Sequence, residues 1–180
     1  MEDKINMFYE QFVIDFGSRF YRLNLKNNFT DIIFICVGSN KITGDSLGPM
    51  VGAKLKQRLS ANIAIMGTTE APVNYENIKK INDNIRIKYS NPCVICVDSA
   101  MGKNADIGKI IVNWGGITLG KAVNDGIFLK SHINIKGVVG KDKKEILTNF
   151  KELTLVNKKV IEKMSNEVTE GISNVINNIV

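Results

Sequence analysis

Residues 31–37, DIIFICV, contain six consecutive apolar residues and are followed by Gly38. An apolar run of this length without alternation is typical of a strand buried on both faces of a parallel sheet. Residues 92–97, PCVICV, repeat the pattern and are followed by Asp98. The two runs therefore predict two interior strands, and the residues that follow them are where a ligand would bind in such a sheet.

Helical and strand-like segments alternate around these two runs. Phe8, Phe12, Phe16 and Phe20 recur at a spacing of four residues, which predicts a helix with an aromatic face in the core. A further strand-like run at 108–114 follows the preceding strand after only ten residues, too few for a parallel crossover. We therefore expect this strand to be antiparallel to its neighbour or to lie at an edge.

The complete pattern predicts one domain, a three-layer αβα sandwich with a mostly parallel five-stranded sheet. Strands are predicted at 31–37, 62–66, 92–97, 108–114 and 131–139, and helices at 7–24, 45–59, 73–86 and 143–180, the last interrupted near Thr148 or Asn149.

Composition excludes several classes of protein. The chain has 180 residues, of which 44% are hydrophobic and 23% charged, as in globular rather than disordered proteins. No stretch approaches the roughly 20 apolar residues of a membrane span, and the charged start MEDKINMFYE lacks the apolar centre of a signal peptide. We therefore expect a cytoplasmic protein that has no membrane partner and keeps its three cysteines as thiols.

The net charge of +6 results from 24 basic and 18 acidic residues. The lysines are scattered along the chain and are not interleaved with aromatic residues, as a single-strand nucleic-acid platform would require. We interpret them as solvated helix faces and expect no nucleic-acid partner. Nothing in the sequence specifies an oligomeric state.

Two acidic residues follow the two interior strands. Asp45 lies in GSNKITGDSLGP (38–49), and Asp98 lies in VDSAMG (97–102). If the strands are neighbours, the two carboxyl groups face each other across a crevice, where one retains a proton and the pair can activate water. Two structural interpretations remain open: Asp45 as a helix N-cap and Asp98 as a turn former.

Other chemical signals in the chain favour structural roles. Cys93 and Cys96 are three residues apart on a predicted strand, so their thiols point to opposite faces and cannot share a metal or a disulfide. We interpret both, and Cys36, as buried apolar residues. The loop after Gly38 lacks the G-x-G-x-x-G pattern, and a carboxylate there would repel phosphate. The single histidine, His132, is expected to be structural.

The segments GSNKITGDSLGPMVG (38–52), VDSAMG (97–102) and MGTTEAPVNYENI (66–78) together resemble a known family. They are similar to the YyaC-type sporulation proteins, regarded as spore proteases and related to the spore germination endopeptidase, and more remotely to the hydrogenase maturation endopeptidases. The resemblance, which also covers 113–125 and 137–140, implies a phosphorylase/hydrolase-like fold and one peptidase-like domain over residues 1–180.

The resemblance also implies roles for particular residues. Asp45 and Asp98 match the two catalytic carboxylates of the germination endopeptidase. The hydrogenase peptidases have Glu and Asp at these positions and a later His, which the matching segment 113–125 lacks. In the same segment, Leu119 and Gly120 replace the Pro-Gly of the germination enzyme. The resemblance therefore implies a hydrolase that uses neither metal nor cofactor.

The expected function is that of a spore-associated endopeptidase that acts on a polypeptide, with small acid-soluble spore proteins as candidate substrates. Asp45 and Asp98 are expected to activate water. Gly38, Ser39 and Asn40 are expected to present backbone N–H groups or an amide to the substrate carbonyl. The alternative is a catalytically inactive sporulation protein that uses the same fold as a protein-binding module.

Overall fold

The fold is that of a computed structural model, which describes the backbone of residues 2–119 and 126–179 and the side chains of residues 7–119 and 126–179. The helices are α1 (Glu2–Lys26), α2 (Leu47–Arg58), α3 (Ile78–Lys88), α4 (Ile146–Leu155) and α5 (Lys158–Ile179). The strands are β1 (Asp31–Cys36), β2 (Ala64–Met66), β3 (Pro92–Gly102), β4 (Ile110–Trp114), β5 (Ile117–Leu119), β6 (Ile127–Leu129) and β7 (Ile133–Lys141).

The main sheet has five strands in the order β2-β1-β3-β7-β4. All neighbours are parallel except β4, which lies at the edge and runs antiparallel to β7. The predicted mostly parallel sheet is confirmed, and so is the placement of the fourth predicted strand, because its short connection to β3 allows no parallel crossover. A separate antiparallel hairpin of β5 and β6 was not predicted.

Helices and hairpin cover the two faces of the sheet, which makes the three layers. On one face α1, α2 and α5 enclose the larger apolar cluster, in which Phe12, Phe16 and Phe20 are buried. Three of the four predicted phenylalanines therefore pack in the core, whereas Phe8 is half-buried with the Lys109 ammonium 5.6 Å from its ring centroid. On the other face α3 and the β5–β6 hairpin cover a smaller cluster that includes Ile78 and Ile85.

The three cysteines are buried free thiols. Cys93 belongs to the cluster under α1, α2 and α5, whereas Cys96 belongs to the cluster on the other face of the sheet. Strand alternation therefore separates the two thiols, as predicted, and burial raises the pKa of both Cys36 and Cys93 to about 12.

The predicted interruption near Thr148 or Asn149 is wrong. Both residues lie inside α4, where the Asn149 side chain bonds the preceding loop by accepting from the Lys143 N–H at 2.8 Å. The break comes at Val156 and Asn157, and the Asn157 side chain accepts a hydrogen bond from the Lys159 N–H at 2.9 Å. Asn157 thereby satisfies a backbone donor in the first turn of α5.

No helix within residues 2–119 and 126–179 combines the length and the apolar character needed to cross a membrane.

Candidate active site

Asp45 is the last residue of a short 3₁₀ turn, Thr43–Asp45, that precedes α2. The predicted helix over 45–59 is therefore shorter, and Ser46 occupies its N-cap position. Neither residue caps α2 with its side chain: the Ser46 hydroxyl donates to the Thr43 carbonyl at 2.7 Å. The interpretation of Asp45 as an N-cap is therefore wrong, and its carboxyl group is free for another role.

Asp98 lies within β3 and not at its end. The strand continues to Gly102 because β7 is long enough to pair with it as far as Lys141. The interpretation of Asp98 as a turn former is therefore wrong. In the register of the two strands, Asp98 is opposite Lys136 of β7.

The structure brings Asp45 and Asp98 to one cleft, since β1 and β3 are neighbours and both lead into it. The cleft has a volume of about 750 Å³ and lies beyond the carboxyl end of β1, the position where open α/β sheets bind ligands. Its lining includes polar and apolar side chains from the loop after β1, the segment before α3, the end of β3 and α4: Ser39, Asn40, Lys41, Ile42, Tyr75, Glu76, Ser99, Met101, Phe150 and Leu153.

Burial dominates the electrostatics of Asp45. It raises the pKa of the carboxyl group to about 6, because a charge is poorly solvated in the cleft. Hydrogen bonding by the backbone of Ser39 and by the side chain of Ser99 favours the ionised form and opposes the shift. Ser99 therefore supports the carboxylate form of Asp45.

Burial also raises the pKa of Asp98, to about 7, and repulsion from Asp45 adds to the effect. The positive charge of Lys136 and the backbone of Ser99 act in the opposite direction. Both carboxyl groups therefore hold a proton more tightly than a free aspartate does, and Asp98, which also faces the charge of Asp45, holds it more tightly than Asp45. One carboxylate and one carboxylic acid in the same cleft are the arrangement required for paired base and acid catalysis.

The structure places Gly38, Ser39 and Asn40 in the cleft lining but uses several of their donors internally. The Gly38 N–H donates to the Val73 carbonyl at 2.8 Å, and the Ser39 N–H donates to the Asp45 carbonyl at 3.0 Å. The Asn40 amide donates to the Thr69 carbonyl. In this conformation the backbone N–H groups of Gly38 and Ser39 are therefore already occupied, and the Asn40 amide has used one of its two N–H groups.

His132 lies far from the two carboxyl groups, at the start of β7. Its Nδ1 accepts a hydrogen bond from the Val94 N–H at 3.0 Å, and its ring contacts Phe29 edge to face. Four residues of strand, roughly 13 Å, separate it from Lys136, the partner of Asp98. No group of three or more His, Cys, Asp or Glu side chains within the described part of the chain is arranged to hold a metal ion.

Ser99 and Lys136 were not predicted as site residues. Ser99 directly follows Asp98, and this adjacency was a usable signal for it. Lys136 could be identified only from the pairing of β3 with β7, which the sequence does not specify. The segment 113–125 of the family resemblance is described only as far as Leu119, so the comparison at Gly120 lies outside the described residues.

Comparisons with known proteins agree with this architecture. The crystal structure of the [NiFe] hydrogenase maturation protease HycI from Thermococcus kodakarensis KOD1 aligns with 84% of this chain and 95% of its own, with a TM-score of 0.55. Sequence identity is 20%, so the likeness concerns the fold. The uncharacterized protein YyaC of Bacillus subtilis (strain 168) is 33% identical over 146 residues, which cover 79% of this chain and 68% of YyaC. Residues 5–171 match the family described as "Protein of unknown function (DUF1256)", and the chain belongs to that family.

Proposed function

We propose that this protein is an endopeptidase in which Asp45 and Asp98 activate a water molecule. One observation carries the proposal: two carboxyl groups with raised pKa values, about 6 and about 7, lie in one cleft. Raised carboxyl pKa values in a cleft are typical of acid–base sites. The likeness of the fold to a maturation protease is consistent with this chemistry.

The order of ionisation assigns a role to each carboxyl group. The Asp45 carboxylate accepts a proton from water, and the water oxygen attacks the peptide carbonyl carbon. The Asp98 carboxylic acid donates its proton to the carbonyl oxygen, which gives a neutral tetrahedral diol. Collapse of the diol breaks the C–N bond, while the proton held by Asp45 passes to the leaving nitrogen and a hydroxyl proton returns to Asp98. The pair is thereby restored.

The substrate in this proposal is a polypeptide, with small acid-soluble spore proteins as candidates. The net charge of +6 favours association with acidic chains. We place the activity in the cytoplasm of a spore-forming cell, and we propose no nucleic-acid or membrane partner.

The test compares three variants with the wild type on small acid-soluble spore proteins and on unfolded casein. Asp45→Asn and Asp98→Asn are each expected to lower kcat at least about 100-fold, the usual contribution of a general acid or base. Asp31→Asn is the matched control, because Asp31 lies at the opposite end of β1. Unchanged cleavage by either cleft variant would contradict the paired mechanism.

A second candidate function is a binding module without catalysis. It is favoured by the internal use of the Gly38 and Ser39 N–H groups, which leaves few donors for an oxyanion. In that case the wild type binds the same polypeptides but releases no fragments, and the Asn variants bind as well as the wild type does.

A further inference from the structure

Strand β3 extends beyond β1 at the edge of the cleft. The pairing of β1 with β3 ends at Cys36 and Val97, whereas the pairing of β3 with β7 continues to Gly102 and Lys141. Among the described residues, the last five residues of β3 therefore have a strand partner on one side only. Ser99, Ala100 and Met101 of this extension line the cleft.

The chain of β1 leaves this side of β3 at a defined point. The Val37 N–H donates to the Val97 carbonyl at 2.7 Å, which is the last ladder-type bond between the two segments. Gly38 then turns away with a φ of +147° and donates its N–H to the Val73 carbonyl. A side chain at this position would collide with the Asp45 carbonyl, since its Cβ would lie 2.0 Å away.

The space beyond Val37 continues the path of β1 between the β3 extension and the segment after Val73, in which residues 75–77 form a turn. Val37 forms a parallel bridge with Val73, and Pro72, Asn74, Tyr75 and Glu76 line the same cleft as the β3 extension. Two segments that flank one missing strand are separated by roughly 10 Å, twice the spacing of neighbouring strands. That distance accommodates one extended chain.

Strand alternation determines which groups of β3 face this space. The Val97 carbonyl points towards β1, and alternation directs the backbone groups of Ser99 to the same side. The pairing of β3 with β7 shifts register between Ala100 and Met101, but the direction of the next residue, Gly102, shows that Met101 also points to the β1 side. Gly102 points the other way, and its carbonyl accepts from the Asp142 N–H at 2.8 Å. The Ser99 N–H favours the ionised Asp98 carboxyl. Within residues 2–119 and 126–179, the Ser99 carbonyl and both backbone groups of Met101 have no strand partner on this side.

We propose that the polypeptide substrate binds as an extended strand in the place that β1 vacates, hydrogen-bonded to the backbone of Ser99 and Met101. This inference rests on the proposed function, because it takes the substrate to be a polypeptide. When an extended peptide adds to the edge of a sheet, hydrogen bonds between its backbone and the edge strand supply much of the binding affinity. It places the bound backbone within a residue of Asp98 and beside Asp45, where the proposed chemistry occurs.

Two consequences for selectivity follow. A helix or a folded domain does not fit a space one strand wide, so the enzyme selects unfolded or extended segments. Successive side chains of a strand point to opposite faces, so alternate substrate residues meet the exposed cleft residues Tyr75 and Phe150, which are 39% and 53% exposed. Apolar residues are therefore favoured at those alternate positions.

The test uses amide hydrogen exchange by NMR on the Asp45→Asn/Asp98→Asn variant, which prevents turnover. The probe is a random, end-capped octapeptide library, and the matched probe is the same library with every peptide nitrogen methylated. At near-saturation the first library is expected to slow exchange of the Met101 N–H about tenfold, in proportion to the open fraction. The methylated library, which lacks donors, is expected to bind at least several-fold more weakly and to give less protection.

Unchanged Met101 exchange at a concentration where resonances of Tyr75 or Phe150 shift would overturn the inference, and so would the absence of any binding. A second measurement uses Met101→Pro, which removes the N–H facing the vacated space, against Met101→Leu. Higher KM with little change in kcat is expected for the proline variant alone. If Met101 is protected but the wild type cleaves no peptide, strand binding stands and the proposed peptidase activity is refuted. If the wild type cleaves peptides but Met101 is not protected, the peptidase activity stands and strand binding is refuted.

Discussion

Lys136 of β7 is the register partner of Asp98 of β3, so the two side chains lie next to each other on one face of the sheet. Its positive charge favours the ionised Asp98 carboxyl, whereas burial and Asp45 favour the protonated one. Lys136 therefore keeps the pKa of Asp98 near neutrality, where the group can both release and regain a proton.

Replacing Lys136 is expected to move the alkaline limb of the pH profile. In Lys136→Met the opposing charge is lost, so the pKa of Asp98 rises further and the acid form persists to higher pH. We expect the alkaline limb of kcat/KM to shift upward by about half a unit to one unit. Lys158→Met, on the exposed start of α5, is the control and should leave the profile unchanged. A downward shift would contradict the assignment of Asp98 as the acid.

The Ser99 side chain is expected to control the other limb. Its hydrogen bond favours the ionised Asp45 carboxyl, so Ser99→Ala raises the pKa of Asp45. The acid limb of kcat/KM should then move to higher pH by about half a unit, because less base is present at a given pH. Ser99→Thr, which retains the hydroxyl, should restore the wild-type limb. If Ser99→Ala and Ser99→Thr change the rate equally at every pH, the Ser99 side chain acts through its size and not through its hydrogen bond.

The two aspartates are expected to reduce stability at alkaline pH. Their pKa values are about 6 and about 7 in the folded protein, above the value near 4 of an unfolded aspartate. The folded state therefore binds these protons more tightly, so the stabilising contribution of the two protonated groups is complete below about pH 4 and is lost as the pH rises through the folded values.

Asparagine variants remove this loss. For each of Asp45→Asn and Asp98→Asn, we expect the unfolding free energy relative to the wild type to be about 1–2 kcal/mol higher at pH 8 than at pH 5. This is less than the full pKa shifts imply, because the cleft is partly solvated. Thermal unfolding at both pH values measures this as a Tm difference of several degrees. Asp31→Asn serves again as the control. Variants that are equally destabilised at both pH values would show that the carboxyl groups are not strained by burial.

Two helical glycines are expected to respond oppositely to alanine. A Cβ at Gly48 would lie 2.0 Å from the Val37 carbonyl oxygen, a backbone atom that cannot move alone. We expect Gly48→Ala to cost roughly 2 kcal/mol or more and to displace the turn that carries Asp45. A Cβ at Gly17 meets Val175 at 3.5 Å, an ordinary contact, so Gly17→Ala should stabilise α1 by about 0.5–1 kcal/mol. Chemical denaturation of both variants decides the matter, and a neutral Gly48→Ala would contradict the close approach.

The sequence was most informative where a simple pattern of apolar residues indicates which side chains are buried. The runs at 31–37 and 92–97 are apolar on both faces because both lie inside the sheet, and the short connection after β3 already required an antiparallel neighbour. The β5–β6 hairpin was missed because its strands are three residues each, too short for alternation to be recognised. The helix break was misplaced because the polar side chain of Asn149 bonds a neighbouring loop, a tertiary effect.

The candidate site was predictable in its residue types but not in its environment. Asp45 and Asp98 follow the two interior strands, where open α/β sheets bind ligands, and the same two residues match the family resemblance. The length of β3 depends on its pairing with β7, so neither the lysine beside Asp98 nor the free edge at Met101 was visible in the sequence. The internal use of the Gly38 and Ser39 N–H groups was not predictable, because their hydrogen bonds to Val73 and Asp45 form only in the folded loop.

The close packing of α2 has a consequence for how this family can diversify. Gly48 and Gly52 bring α2 into backbone contact with Val37 and Gly67, so the wall of the cleft that carries Asp45 has almost no freedom to change shape. Helix α4 packs against the Asp45 turn through Leu153, close to Gly44, but it has no buried residue and presents Phe150 to the cleft. Under the proposed function, new substrate preferences can therefore evolve by exchange of exposed α4 side chains such as Phe150, while Leu153 and the turn that holds Asp45 stay as they are.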